Sequence, residues 1–220
     1  MDSLVRLYRK HWAKLFRYRK TNRGCSNPLL IDLSADYWKQ STKLFVVGQQ
    51  TNTWYNRHLI SNRQTSAESL MSIYRDRFRL GYGYNPIFWQ AVRQLEATLG
   101  IAPHAVAWSN LNRFDLRGIR PSSEEEQEMG TLFDDLLRAE IRLARPDVVI
   151  FFSGPSFDDH IRRVWPTSRF IAIPPRSAKQ LCYVRHADLP ANAFRTYHPR
   201  FLRPSGLWSP VLSTICRRLT

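Results

Sequence analysis

Polar side chains that could bind a ligand follow a short apolar run near residue 44. Residues 44–47 are apolar and partly β-branched, which is typical of a buried parallel strand, and Gly48 ends the run. Amides and hydroxyls come next, beginning with Gln49 and Gln50. Open α/β folds bind their ligands just beyond the carboxyl ends of such strands. A tight turn with solvated amides explains this segment equally well when it is taken alone.

A second run of this kind lies near the other end of the chain. Residues 193–197 are a short strand candidate, and they are followed by His198 and Pro199. The loop that comes next, residues 200–204, contains two arginines around two apolar side chains. A histidine, a proline and a basic loop after a strand again indicate a place where a ligand could be held.

Two further predicted strands lie between these runs. One covers residues 105–109 and ends at Asn110, and the other is the apolar segment 147–152. Right-handed crossover connections bring the carboxyl ends of parallel strands to one edge of the sheet. We therefore expect Gln50, Asn110 and His198 to converge in one cleft.

With these motifs in this order, the chain resembles the uracil-DNA glycosylase superfamily. In that family the first strand ends in a Gly-x-Asp/Asn-Pro-type motif, a later strand ends in Asn, and the last strand ends in His-Pro before a wedge loop. The resemblance extends from about residue 43 to about residue 208. It includes the pair Phe88-Trp89, although core packing is the simpler interpretation of Phe88.

The resemblance implies roles for the first motif. Gln50 occupies the position of the water-positioning Asp or Asn, and Gly48 belongs to the base-binding group. A glutamine can orient water through its carbonyl oxygen, but it cannot act as a general base. Gln50 and Thr51, which replaces the usual proline, are departures from the family pattern. Asn52 is a nearby alternative for holding water.

Base recognition is implied for three other side chains. Asn110 matches the family's base-reading Asn, since one amide offers both a donor and an acceptor to a pyrimidine edge. Asn112 is the fallback, and a plain turn at Asn110 is the alternative. Trp54 could stack on an extruded base, with core packing as its alternative.

The His-Pro motif and its loop complete the implied site. His198 would donate a hydrogen bond to the base as it leaves, whether the imidazole is neutral or charged, unless it is a core or turn histidine. Leu202 matches the wedge residue that fills the gap left by a flipped base, and Phe201 is the bulkier candidate beside it. Arg200 and Arg203 would grip phosphates, although exposed arginines are usually only solvated.

The composition indicates a basic surface that binds an acidic partner. The 220 residues include 33 Lys and Arg against 18 Asp and Glu, and 13% are aromatic. DNA, double- or single-stranded, is the expected partner, and an anionic membrane is the weaker candidate. The three cysteines, Cys25, Cys182 and Cys216, have no metal-binding spacing, so no metal or cofactor is expected. An odd cysteine count and the lack of a signal peptide or a membrane-length apolar run predict a cytoplasmic monomer.

The alternation of strands and helices predicts a single domain over residues 1–220. We expect a three-layer α/β/α sandwich with a mostly parallel central sheet of about four strands, like that of the uracil-DNA glycosylases. Residues 169–173 and 179–185 are additional strand candidates. Residues 2–19 predict a basic amphipathic helix, which could dock on the domain, contact DNA or lie on a membrane; docking with some phosphate contact is favoured.

Helix boundaries follow from local signals. Capping pairs predict helix starts at Thr65 with Glu68, Ser123 with Glu126, and Ser156 with Asp159. Glycines 81 and 100 are expected to end the two helices between the first two strands.

The resemblance implies a monofunctional DNA N-glycosylase, a hydrolase that flips a modified or deaminated pyrimidine and leaves an abasic site. No lysine stands at a motif position, so no Schiff-base lyase step is expected. The altered first motif suggests a base other than plain uracil, in DNA repair or in antiviral defence against phages with modified DNA. The alternatives are a non-catalytic module that senses flipped bases, and a membrane-associated or scaffolding protein.

Overall fold

Apolar runs of four or five residues form the central sheet. The computed structural model describes residues 2–22, 24–51, 66–80 and 86–219. Its strands are β1 (Leu44–Gly48), β2 (Ala107–Asn110), β3 (Val148–Phe152), β4 (Arg169–Ala172), β5 (Leu181–Arg185) and β6 (Asn192–Thr196). They form one six-stranded sheet in the order β2-β1-β3-β6-β5-β4.

The sheet is mostly parallel, as predicted. Strands β2, β1, β3 and β6 run parallel to one another, while β5 and β4 add an antiparallel hairpin at one side. The predicted number of about four strands therefore fits the parallel part, and both additional strand candidates are strands. Every residue of β1 and β3 is buried because helices cover both faces of the sheet. The edge strand β4 is largely exposed.

Helices cover both faces and complete the predicted three layers. The helices are α1 (Asp2–Thr21), α2 (Ala35–Lys39), α3 (Ala67–Leu80), α4 (Ile87–Leu99), α5 (Ser123–Ala144), α6 (Asp158–Val164), α7 (Pro199–Leu202) and α8 (Trp208–Arg217). Successive strand residues alternate between the faces. Phe152 contacts Phe88 of α4, whereas its neighbour Phe151 contacts Trp165, just after α6. Helices α7 and α8 pack against α4, and α1 and α6 pack against α5.

Side-chain caps fix several helix starts, although not always at the predicted residue. The capping box of α5 is formed by Ser122 and Glu125, one residue before the predicted pair, because Ser122 Oγ accepts from the N–H of Glu125 while that carboxylate accepts from the N–H of Ser122. At α3, Ser66 and Ser69 exchange the corresponding bonds at 3.0 and 3.1 Å. The predicted partner Thr65 lies outside the described residues.

Two other predicted helix boundaries have different outcomes. The cap predicted at Ser156 is wrong, because a 3-10 turn (Pro155–Phe157) leads into α6 without a side-chain cap. Gly100 ends α4 in the left-handed conformation, with φ of 66°, as predicted. Gly81 lies outside the described residues.

The basic helix α1 is docked on the domain, which confirms the favoured interpretation of its fold. Leu4, Tyr8 and Leu15 of its apolar stripe are buried, while Trp12 is half-buried. Its exposed basic residues are Arg6, Arg9, Lys10, Lys14, Arg17 and Lys20. Because the apolar stripe faces the protein, it is not free to enter a membrane surface.

A buried ionic network joins α1 to the sheet. Tyr8 Oη donates to Glu140 Oε1 at 2.6 Å, and Arg113 forms two bonds to the same carboxylate at 2.7 and 3.0 Å. Ser109 of β2 donates to Glu140 Oε2 at 2.9 Å. Burying an unpaired charge would be strongly destabilising, so each group depends on the others. The polar character of residues 111–121 predicts a loop for this segment, yet its Arg113 is a core residue.

None of the described helices is long and apolar enough to cross a membrane. The three cysteines are buried and do not form disulfides. Within the described ranges, there is no cluster of three His, Cys, Asp or Glu residues that could hold a metal ion.

Candidate functional site

The carboxyl ends of the four parallel strands meet at one edge of the sheet, and the predicted site residues follow them. Gly48, the last residue of β1, pairs with Asn110, the last residue of β2. Ser153 comes directly after β3, and His198 follows β6 at the start of α7. The structure therefore brings these segments to a common edge, as the sequence predicted.

Gly48 and Asn110 are fitted to each other. A Cβ atom at Gly48 would lie 2.3 Å from a terminal atom of the Asn110 amide, so only glycine leaves room for this side chain. In the amide orientation that suits its neighbours, Asn110 donates to the Ser109 carbonyl at 3.1 Å and accepts from the N–H of Thr51 at 3.3 Å. A carboxamide has two N–H donors and two lone pairs. One donor and one lone pair of this buried side chain are therefore left for a ligand.

The loop after β1 is held on both sides. The side-chain Nε2 of Gln49 donates to the backbone carbonyl of Ser153 at 2.7 Å. The backbone carbonyl of Gln49 accepts from the N–H of Asn112 at 2.8 Å. Thr51, which takes the place of the family's proline, is buried and donates to Asp115 Oδ2 at 2.6 Å. These bonds fix the backbone on either side of Gln50.

Three buried polar atoms on these segments have no hydrogen-bond partner in the described part of the chain. They are Gln50 Oε1, Asn112 Oδ1 and Ser153 Oγ. Such atoms are uncommon in folded proteins and cost free energy unless water or a ligand bonds them. Gln50 therefore presents the carbonyl oxygen that a water-positioning role requires.

His198 is held as a neutral imidazole with a defined tautomer. Its Nδ1 accepts from the N–H of Arg200 at 3.1 Å, which leaves the proton on Nε2. Burial, together with the smaller effect of the positive charge of Arg200, lowers the pKa of His198 to about 4. Near neutral pH this side chain is therefore a donor through Nε2–H.

Phe88 links the two ends of the site. Its ring is stacked on the His198 ring, with centroids 5.8 Å apart, and its Cε2 lies 3.5 Å from the position of a Cβ on Gly48. The ring is half-buried and packs against the hydrophobic core. The Phe88-Trp89 pair after Pro86 was the sequence signal for it. The sequence indicated no role for Gln49, and it did not single out Ser153, although a serine and a glycine follow the apolar run of β3.

The loop after His198 differs from the prediction. Leu202 is fully buried in α7, so its assignment as an exposed wedge is wrong. Phe201 is 49% exposed, and its ring packs on Tyr197 with centroids 4.2 Å apart. The physical reason is that α7 begins directly after His198, and successive side chains of an α-helix point about 100° apart around its axis.

The two arginines of this loop have different surroundings. Arg200 is exposed. Arg203, also exposed, donates to Gln90 Oε1 at 2.8 Å and lies over the Trp208 ring at 4.4 Å. Arg203 is thus tied to α4 and α8, whereas Arg200 is the better placed for a phosphate.

Asn112, the fallback for base recognition, has a supporting position. Asn112 is fully buried and donates to Glu126 of α5 at 2.8 Å, and Arg120 holds the same carboxylate with two bonds of 2.7 and 2.9 Å. Asn112 therefore supports the loop after β2 rather than substituting for Asn110. Asn52 and Trp54 lie outside the described residues.

The surface formed by α4, α7 and α8 is basic. Residues 189–220 contain no Asp or Glu, and α4 contains one, Glu96. That carboxyl is buried, and burial raises its pKa to about 7, against the lowering effects of a hydrogen bond from the His104 N–H and of Arg93. Little negative charge therefore opposes the arginines on this side of the site.

Comparison with known proteins gives no relative for this chain: no family model matches it, and no match was found among curated proteins. The chemistry open to the site therefore has to be inferred from the side chains at the sheet edge. These supply an amide that can read a base edge, a carbonyl oxygen that can orient water, and a neutral N–H donor.

Proposed function

We propose that the protein is a monofunctional DNA glycosylase that hydrolyses the N-glycosidic bond of a modified or deaminated pyrimidine. The observation that carries the proposal is the Nε2–H donor of His198, at the same sheet edge as Gln50 and Asn110. The order of these motifs, which resembles that of the uracil-DNA glycosylase superfamily, supports it.

Breaking the glycosidic bond places negative charge on the leaving base. A donor aimed at that charge stabilises the transition state more than the substrate, and this is usually the largest single catalytic effect. His198 needs no positive charge for this role, because a neutral imidazole still donates one hydrogen bond. Its low pKa, about 4, keeps it in this form across the physiological range.

Water attacks the sugar on the other side of the reaction. The water oxygen forms a bond to C1′ as the C1′–N bond breaks, and the electron pair of that bond leaves with the base. Gln50 Oε1 accepts one hydrogen of the water and so orients it, without removing a proton. The proton released after attack passes to solvent or to the departing base.

Asn110 selects the base in this scheme. Its remaining N–H and lone pair match the donor and acceptor on a pyrimidine edge. Extrusion of the base from a stack must come first, since the atoms involved are not accessible inside a duplex. The basic surface of α4, α7 and α8 supplies charge for the phosphates.

Release of a base from defined DNA tests the proposal. Duplex and single-stranded oligonucleotides carrying uracil, hydroxymethylpyrimidines or glycosylated pyrimidines are incubated with the protein, and abasic sites are then cut with alkali. We expect cleavage at one class of modified pyrimidine. The absence of cleavage across the panel would contradict the proposal.

A non-catalytic module that binds flipped bases is the second candidate. Gln50 favours it, because its carboxamide cannot accept a proton from water and its side chain is longer than that of the Asp or Asn at the family position. Tight binding to a modified base, with no base released at any enzyme concentration, would establish this alternative.

A further inference from the structure

We propose that Tyr197 and Phe201 form a stacking platform for single-stranded DNA, so that the protein acts on unpaired strands. The proposal rests on the proposed function, and it assigns that function a substrate class. The platform is the ring pair Tyr197–Phe201 together with Arg200, which lies between them in the chain.

The two rings are held in place by their surroundings. Their centroids are 4.2 Å apart with an angle of 37° between the planes. The inner ring, Tyr197, lies over Gly154, where an added Cβ would come 3.4 Å from Tyr197 Cδ1. The outer ring, Phe201, is 49% exposed. An exposed aromatic ring backed by a second ring offers a face on which a base can stack with little loss of side-chain freedom.

The same segment lacks an aliphatic wedge. Leu202 is fully buried, and the N–H groups of Phe201 and Leu202 both donate to the His198 carbonyl, at 2.8 and 3.1 Å. The chain is thus folded back at this point. A glycosylase that works on duplex DNA has to fill the gap left by the flipped base. An unpaired strand leaves no such gap, and its bases are already free to stack on a flat ring.

The platform adjoins the site. Tyr197 precedes His198 in the chain, and the His198 ring stacks on Phe88. A base that accepts a hydrogen bond from His198 would therefore have its neighbouring nucleotide beside Tyr197 and Phe201. Sequence-tolerant stacking combined with a basic groove is the general mode of single-strand binding.

Charge argues for a nucleic acid rather than a second copy of the chain. The net charge is +15, and residues 189–220, which include the platform, contain no acidic side chain. Two such surfaces would repel each other, whereas a phosphate backbone is attracted. The occupant that fits both the exposed ring and the charge is a single strand.

Fluorescence anisotropy with labelled oligothymidine, and with a duplex of the same length, tests the proposal at fixed salt. We expect the single strand to bind at least about tenfold more tightly than the duplex, and Phe201→Ala to weaken single-strand binding by about tenfold, while Phe201→Trp retains it. Trp38→Ala is the matched control. Trp38 is 44% exposed and packs on Tyr37, but it belongs to α2 at the opposite edge of the sheet.

Two results would overturn the platform: duplex binding as tight as single-strand binding, or unchanged single-strand binding by Phe201→Ala. Binding is read without base release, so the two proposals fail separately. A protein that binds single strands through Phe201 but releases no base contradicts the glycosylase function and leaves the platform intact.

Discussion

His198 carries its proton on Nε2 because its Nδ1 is occupied by the N–H of Arg200. This single bond decides that Nε2, and not Nδ1, is the hydrogen-bond donor of the ring. An imidazole of the other tautomer would present a lone pair to a developing anion and repel it. The catalytic proposal therefore depends on a backbone hydrogen bond two residues away as much as on the histidine itself.

Replacing His198 with alanine is expected to lower the single-turnover rate of base release by about 10²–10³, the usual cost of removing one such donor. DNA affinity should change little, because the bond forms fully only in the transition state. Gln50→Ala should cost less, since it only orients water. The measurement is base release under saturating enzyme, with anisotropy for binding.

His186→Ala is the matched control for this substitution. Its Nδ1 accepts from the N–H of Asp188 at 3.1 Å, in the same local arrangement as His198, but it belongs to the turn after β5. The control should keep the parental rate. Base release by His198→Ala at the parental rate would remove the leaving-group role.

The depressed pKa of His198 also predicts a pH effect on stability. Its folded pKa, about 4, lies below the ordinary value of 6.5, so the unfolded chain binds more protons between these pH values. The contribution of His198 to the free energy of unfolding is therefore fully present above about pH 6.5, and it is lost as the pH falls towards 4. Urea unfolding should show a smaller decline for His198→Asn than for the parent; equal declines would contradict the assignment.

Gly48 can be tested through its contact with Asn110. Gly48→Ala puts a Cβ 2.3 Å from a terminal atom of the Asn110 amide, so the amide must move, at a cost of about 1–3 kcal/mol for overpacking. Base release should fall with it. Adding Asn110→Ala should restore stability but not activity, as chemical denaturation and base release would show. A Gly48→Ala protein of parental stability and activity would be inconsistent with this close fit.

At the scale of elements, the sequence predicted what depends on local pattern. The four parallel strands, the docked helix α1 and the end of α4 at Gly100 follow from apolar periodicity and glycine chemistry. Side-chain direction beyond a strand end does not, because it depends on how the next few residues turn. The buried Leu202 and exposed Phe201 are the example, since α7 is too short to show a period.

Long-range polar contacts could not be predicted from the sequence either. Asn110 and Asn112 are two residues apart and chemically identical, yet one lies against Gly48 and the other bonds to Glu126 of α5. Arg113 was expected in a solvated loop but is paired with Glu140 in the core. Partners 14 and 27 residues away in the chain decide these outcomes, and no local signal identifies them.

The attachment of α1 predicts that deleting residues 1–20 would destabilise the fold, since it would remove Tyr8 from the Glu140 network. A milder change is Tyr8→Phe, which removes a bond to Glu140 and leaves the N–H of Ile31 without the acceptor that it has at 3.0 Å. We expect a loss of about 1–3 kcal/mol in unfolding free energy, measured in urea. Tyr183→Phe, on the half-buried surface of β5, should cost less; equal costs would argue against the network.

Charge is divided unevenly across the whole molecule. The acidic residues of the second half cluster on α5 and α6, whereas α7 and α8 have none. DNA is expected to approach from the side where α4, α7 and α8 adjoin the site. This asymmetry would orient the protein on a polyanion before any specific contact forms.

Salt dependence of DNA binding tests that orientation. Arg200→Gln should reduce the slope of log affinity against log salt by about 0.7–0.9, the amount expected for one lost phosphate contact. Arg142→Gln, an exposed arginine of α5 on the other side of the sheet, should leave the slope unchanged. Equal effects of the two substitutions would show that the protein does not bind DNA in one preferred orientation.

The bond between Tyr8 and Glu140 spans 132 residues of chain. During synthesis α1 emerges from the ribosome before the carboxylate and the sheet on which it docks. Until these are made, Leu4, Tyr8 and Leu15 have no surface to cover them. Helix α1 is thus made before its docking surface and reaches its final place only after that surface has formed.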